Sequence, residues 1–317
     1  MRFVMTCLAG LVAACSAGPQ TGDTGGGQTR EGGQTYKVYY LGGQSNMDGY
    51  GHVSELSEDQ TGPVANAYIY TGNGAWDGEA GGSIGYWGPL TPGHGTGFAT
   101  DGETNALSDR FGPELSFGRA LAANSDQPIA LIKYSRGGTS LADGAGYSDW
   151  FPEAGGADDL NQYDFALATI RNALAARDID GDGRLDQLEP AGIIWMQGES
   201  DAFASHETAA AYQDNLRRMM DLFRAALHRD DLPVVIGRIS DSGMNEDGQM
   251  MPYIDTVLAA QAAYVDSDSC AAYVTEIETY SHSDDAWHYD TAAYLQMGQA
   301  FAEAVTQLET ACGQTRP

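Results

Sequence analysis

The sequence predicts an α/β domain, a three-layer sandwich with a central parallel sheet of about five strands flanked by helices. Three observations predict it. From residue 36 onward, short apolar runs alternate with longer segments of helical period, the pattern that builds a parallel sheet with helices on both faces. Several of the short runs are rich in Val, Ile and Tyr throughout, as strands buried on both faces are. A chain of 317 residues, 42% of them hydrophobic, can bury the core of one such domain with insertions.

The strand candidates in chain order are residues 36–41, 67–70, 129–134, 192–196, 234–239 and 272–277. The helix candidates are 113–123, 164–177, 207–228, 252–265 and 291–310. Pro113 and Pro252 suit the first turn of a helix. Residues 48–110 break the alternation. They are dense in Gly, Asp, Thr and aromatics, and read as a long loop insertion around one weak strand. Its Trp76, Tyr86, Trp87 and Phe98 suit either of two tasks, lining a sugar cleft or packing the loop onto the body.

Before residue 36 the chain is not domain-like. Arg2 and the apolar stretch 3–14 form an export signal too short to span a bilayer. It ends in Val12-Ala13-Ala14-Cys15, which resembles a bacterial lipobox, so residues 1–15 are expected to be a lipoprotein signal with Cys15 as the lipidated residue. Residues 16–35, rich in Gly, Thr and Gln, cannot bury enough apolar surface to order themselves and read as a flexible linker. The domain is then residues 36–317. The expectation is an exported bacterial lipoprotein in the periplasm or at the cell surface, meeting the membrane through its lipid anchor only. In that oxidising setting Cys270 and Cys312 are expected to form a disulfide tying the C-terminal helix to a late strand.

Sixteen basic residues face 44 acidic ones, a net charge of −28. Nucleic-acid binding needs clustered Lys and Arg, so nucleic acid is excluded as a partner. Residues 178–189, Asp-Ile-Asp-Gly-Asp-Gly-Arg-Leu-Asp-Gln-Leu-Glu, fit the EF-hand loop pattern at every specified position. Asp178, Asp180, Asp182, Asp186 and Glu189 would give side-chain oxygens to a structural Ca2+, and Arg184 its carbonyl. No cofactor for catalysis is expected.

Four segments carry chemistry. Leu41-Gly42-Gly43-Gln44-Ser45-Asn46 ends the first strand, where a parallel sheet binds its ligands. Tyr134-Ser135-Arg136-Gly137-Gly138-Thr139 and Trp195-Met196-Gln197-Gly198-Glu199-Ser200-Asp201 also follow strands. Asp285-Ala286-Trp287-His288 spaces an Asp to accept a hydrogen bond from imidazole Nδ1 and orient it. Together these blocks resemble the SGNH hydrolase superfamily, and more narrowly the carbohydrate esterase family 6 and sialate O-acetylesterase-like group. The matching residues are G-Q-S-N at 43–46, G-G-T at 137–139, Q-G-E-S-D at 197–201 and D-x-x-H at 285–288. The resemblance implies Ser45 as nucleophile, His288 as base and then acid, and Asp285 as the orienting carboxylate. It implies an oxyanion hole from the N–H groups of Ser45 and Gly137 (Gly138 being the alternative) and the Gln197 amide. Glu199 and Asp201 are expected to support the site by holding loop backbone and Gln197. The expected substrate is an acetylated polysaccharide or oligosaccharide, acetylated xylan first and sialate esters second. A non-catalytic glycan-binding surface protein is the competing expectation.

Overall fold

The computed structural model describes residues 30–154 and 160–313. Seven strands form the central sheet: β1 (Arg30–Gly43), β2 (Ala67–Thr71), β3 (Trp87–Pro89), β4 (Ile129–Ser135), β5 (Arg184–Met196), β6 (Val234–Gly237) and β7 (Ala271–Val274). Their order across the sheet is β7-β6-β5-β1-β4-β2-β3. All neighbours run parallel except β3, which pairs antiparallel to β2 at one edge. The sheet is therefore larger than the five strands expected. All six strand candidates lie in it, and the strand without a candidate is β3, which three residues of Trp-Gly-Pro do not announce.

Seven helices accompany the sheet: α1 (Ser45–Asp48), α2 (Glu114–Ala123), α3 (Gln162–Ala175), α4 (Glu199–Ala204), α5 (His206–Ala226), α6 (Ile254–Asp266) and α7 (Thr291–Gly313). They pack in two groups, α2 with α7, and α5 with α3 and α6. Local chemistry starts them where the sequence indicates. Pro113 is the N-cap of α2. Asn161 Oδ1 accepts from Asp164 N and Asp164 Oδ2 from Asn161 N, a capping box for α3. Ser205 Oγ accepts from Thr208 N at the start of α5. Trp150 meets Trp195 and, on α5, Phe223 edge-on, with Trp195 tilted against Phe223, and β4 is buried along its whole length.

Three boundaries differ from expectation. Residues 30–35, taken as the end of the linker, begin β1 and pair with 184–187 of β5. The expected signal with Cys15, and residues 16–29, lie outside the described residues. The fourth strand candidate starts not at 192 but at Arg184, so the second half of the EF-hand-like loop is strand. The insertion at 48–110 is more structured than one weak strand. It contributes β2, β3 and short pairings of Gly51–His52 with Arg110–Phe111 and Ala99–Thr100 with Asn105–Ala106. The Cys270–Cys312 disulfide is present, with Cα atoms 5.9 Å apart, and fastens α7 beside the start of β7. Among the described residues no helix is long and apolar enough to cross a membrane.

The topology places the site. After β1 the chain moves to one side for β2 and β4, then to the other for β5, β6 and β7. β1 is thus the switch point, and the crevice beyond its carboxyl end is open to a ligand.

Candidate active site

Strand register brings the motifs together. Gly43 stands level with Met196 of β5 and Ser135 of β4, so the three segments that follow leave the sheet side by side. Gly43 has to be glycine. Its φ is +143°, and a Cβ there would lie 1.9 Å from the Met196 carbonyl oxygen. That close approach lets Gln44 N donate to Met196 O at 3.0 Å and turns the chain into the four-residue α1, which Ser45 opens.

Ser45 and His288 both line a cavity of about 710 Å³. His288 Nδ1 donates to Asp285 Oδ2, and Asp285 Oδ1 accepts from Trp287 N at 2.8 Å. Partial burial pushes the Asp285 carboxyl up, but the hydrogen bonds from His288 and Trp287 win and hold it below the usual carboxylate range. The loop itself is clamped. Ser283 N donates to His288 O at 2.8 Å, and His282 and Tyr289 form an antiparallel bridge. Tyr50 lies flat on the imidazole, centroids 3.6 Å apart and planes 6° apart.

Asn46 joins the two ends of the chain beneath this pair. Its Nδ2 donates to Glu199 Oε1 at 2.7 Å and to Trp287 O at 3.1 Å, while Tyr294 OH donates to its Oδ1 at 2.8 Å. The G-Q-S-N and D-x-x-H segments are therefore tied by one buried amide. Asp201 Oδ2 accepts from Gln197 Nε2 at 2.6 Å, and its carboxylate accepts from Leu141 N and Ala142 N. Burial pushes Asp201 up to about 7 despite these donors.

Over residues 35–307 the chain matches the family described as carbohydrate esterase, sialic acid-specific acetylesterase. The chain belongs to this family of carbohydrate esterases. No curated protein matches the esterase. Its fold is that of several solved structures. A protein from Arabidopsis thaliana superposes with a TM-score of 0.61 at 19% identity, covering 86% of this chain and 98% of that one. A carbohydrate acetylesterase from Xanthomonas citri gives 0.58 at 19% identity over 88% of this chain and 57% of that one. NanS gives 0.57 at 18% identity over 86% and 97%.

Within the esterase, one expected role does not match its position. Gln197 is fully buried, and its amide nitrogen donates to Asp201 Oδ2 and, at 3.0 Å, to Thr139 O. Both amide hydrogens are committed below the cavity, and Gln197 is not among the residues that line it. Tyr212 OH fixes its other end at Oε1. Gln197 is a brace between the loops after β4 and β5, and no hydrogen remains for an oxyanion. Glu199 lines the cavity beside Ser45; burial pushes its carboxyl up. Gly137 packs against the serine side chain, since a Cβ on it would lie 3.2 Å from Ser45 Cβ. Gly138 sits instead under the Tyr147 ring, 2.5 Å from where its own Cβ would be.

Some lining residues carried no sequence signal. Tyr50, Phe203 and Trp287 reach the cavity from three separate segments. Asp48 and Arg136 lie inside or beside quoted motifs but belong to no catalytic pattern. Of the four insertion aromatics, Trp76 lines the cavity. Trp87 is buried and donates to Ala173 O at 3.1 Å, Phe98 stacks on His94, and Tyr86 lies on the surface away from the cavity.

The EF-hand-like loop gathers only part of its expected ligand set. Oxygens of Asp178, Asp180 and Asp186 lie within 4.8 Å of one another. Asp178 Oδ1 is shielded from solvent with no hydrogen-bond partner, as an oxygen awaiting a cation is. Asp182 pairs with Arg184 at 3.5 Å. Glu189 stands in β5 opposite Lys37. An EF-hand turns its twelfth residue back into a helix, whereas three residues of strand carry Glu189 about 10 Å beyond Asp186. Three carboxylates fit a divalent cation; the side chains of Asp182 and Glu189 do not join them.

Proposed function

We propose that the esterase releases acetyl groups from acetylated polysaccharide or oligosaccharide through a Ser45–His288–Asp285 triad and an acyl-enzyme. The observation that carries this is the convergence of Ser45 and His288, from opposite ends of the chain, on one cavity at the switch point, with Asp285 accepting the imidazole Nδ1–H. Asp285 fixes the tautomer that leaves Nε2 free to take the serine proton. Ser45 Oγ then attacks the acetyl carbonyl carbon. In this reading the N–H groups of Ser45 and Gly137 serve the tetrahedral oxygen, Gly137 N exchanging its bond to the Asp48 carboxylate for it, and loss of one such donor typically costs ~3 kcal/mol. His288 returns the proton to the departing sugar hydroxyl, and water attacking the acyl-serine releases acetate.

Acetylated xylan is the first polymer to test and O-acetylated sialate the second. The expected result is acetate release by the parent and a fall of roughly 10³-fold or more in Ser45→Ala with unchanged circular dichroism. A folded parent that binds the glycan but releases no acetate would return the glycan-binding reading to first place.

Two further assignments accompany this reading. A structural Ca2+ at Asp178, Asp180 and Asp186 is supported by the orphaned Asp178 oxygen. Added calcium should raise the melting temperature of the parent and not that of Asp178→Asn. Lipidation at Cys15 with export is supported by the Val-Ala-Ala-Cys segment. The disulfide suits the same compartment. Globomycin-sensitive processing and its loss in Cys15→Ser are the measurements.

A further inference from the structure

Of the Asp, Glu, His and Arg side chains that line the cavity, Asp48 accepts from Ser135, Glu199 from Asn46 and His288 pairs with Asp285, but one is held by no such hydrogen bond. Arg136, between Ser135 and Gly137, is the single Lys or Arg among the lining residues. Six other arginines form ion pairs: Arg110, Arg184, Arg218, Arg224, Arg229 and Arg238. The guanidinium of Arg136 makes no hydrogen bond or ion pair with a described residue, in a chain where 44 acidic groups stand against 16 basic ones. Its Nε is buried without a partner.

The side chain is nonetheless held in place. Its guanidinium carbon lies 3.6 Å from the centroid of the Trp76 ring, a cation–π contact that fixes the plane of the group. Trp76 in turn meets Tyr147 edge-on. Arg136 N donates to Gly43 O at 3.1 Å, which anchors its backbone to the strand leading to Ser45. The charged and titratable groups facing it are Asp48, Tyr50 and Tyr134. Asp48 does not close on it; one carboxylate oxygen accepts instead from Ser135 Oγ at 2.5 Å.

Resting on the esterase reading, we propose that Arg136 is a specificity residue that takes the carboxylate of a sugar acid, so that the preferred substrate is an acetylated sugar unit bearing one carboxylate. A stacked, planar guanidinium without a hydrogen-bonding partner among the described residues is arranged for an oxyanion of matching shape, and a carboxylate accepts two parallel N–H bonds from it. The net charge of −28 opposes long-range attraction of any anion. Recognition therefore has to come from this local pair, which suits a single uronate-type unit and not a polyanion.

The test is a matched pair of substrates, an O-acetylated methyl glucuronoside and the methyl glucoside acetylated at the same position. We expect kcat/KM in the parent to favour the uronoside by ~10-fold or more, mainly through KM, with the preference shrinking as salt is added. Arg136→Met should bring the ratio near one, and Arg136→Lys should keep part of it. A parent ratio of one or below, or a preference that survives in Arg136→Met, overturns the proposal. If Arg136→Met does not fold, inhibition of the parent by free glucuronate against glucose decides: equal inhibition overturns the assignment and selective inhibition supports it. A parent that hydrolyses neither sugar, and neither acetylated xylan nor sialate, overturns the esterase reading and this inference with it.

Discussion

Tyr50 covers one face of the His288 imidazole, so the ring proposed to shuttle the proton cannot swing out of plane on that side. Tyr50→Ala should lower kcat by ~10-fold or more, since small misplacements of a catalytic group are costly, while Tyr50→Phe keeps the stack and most of the rate. The comparison of the two variants, with folding monitored, checks this. Gly137→Ala places a methyl group 3.2 Å from Ser45 Cβ and should depress kcat with little change in melting temperature. Ser45, Asp285 and His288 were legible because each sits in a short segment whose neighbours are needed for the same local turn. Tyr50 was not. It stacks on a residue from the far end of the chain, and an isolated Tyr in a Gly-rich loop has no periodicity to betray its partner. Gln197 was legible as part of the site but not in its role, because the fate of its two amide hydrogens depends on Thr139 and Asp201, which only packing brings near.

Among the elements, the loops after β4 and β5 depend on one buried carboxylate. Asp201 carries a folded-state carboxyl raised to about 7 by burial, against 3.8 for a free aspartate side chain. The native state therefore holds a proton that the unfolded chain has released across that interval. Stability from this group is full below pH ~4 and is lost as pH rises towards ~7. The stability difference between pH 4.5 and 7.5, measured by urea unfolding, should thus shrink in Asp201→Asn. The same substitution should cost ~1–3 kcal/mol at pH 7.5 by setting an amide donor against the N–H groups of Leu141 and Ala142. The long strands and helices were legible from period and capping residues. The boundaries that failed lie where polar sequence is extended by pairing alone. Residues 30–35 and 184–189 look like linker and metal loop, yet each completes the other's hydrogen bonds.

Across the whole molecule, the Cys270–Cys312 bond joins residues 42 positions apart and closes a loop over β7, an intervening segment and α7. Its reduction should cost ~2–4 kcal/mol of stability, read as a lowered denaturant midpoint in Cys312→Ser with activity retained at low temperature. β1 and β5 lie side by side from one pole of the sheet to the other, a pair of rails on the order of 40 Å long. The cavity opens at the pole where these rails end, and Arg30 enters at the opposite one. Whatever precedes Arg30 therefore joins the domain at the pole opposite the cavity mouth. A substrate too large to pass that junction can still reach the serine from the open side.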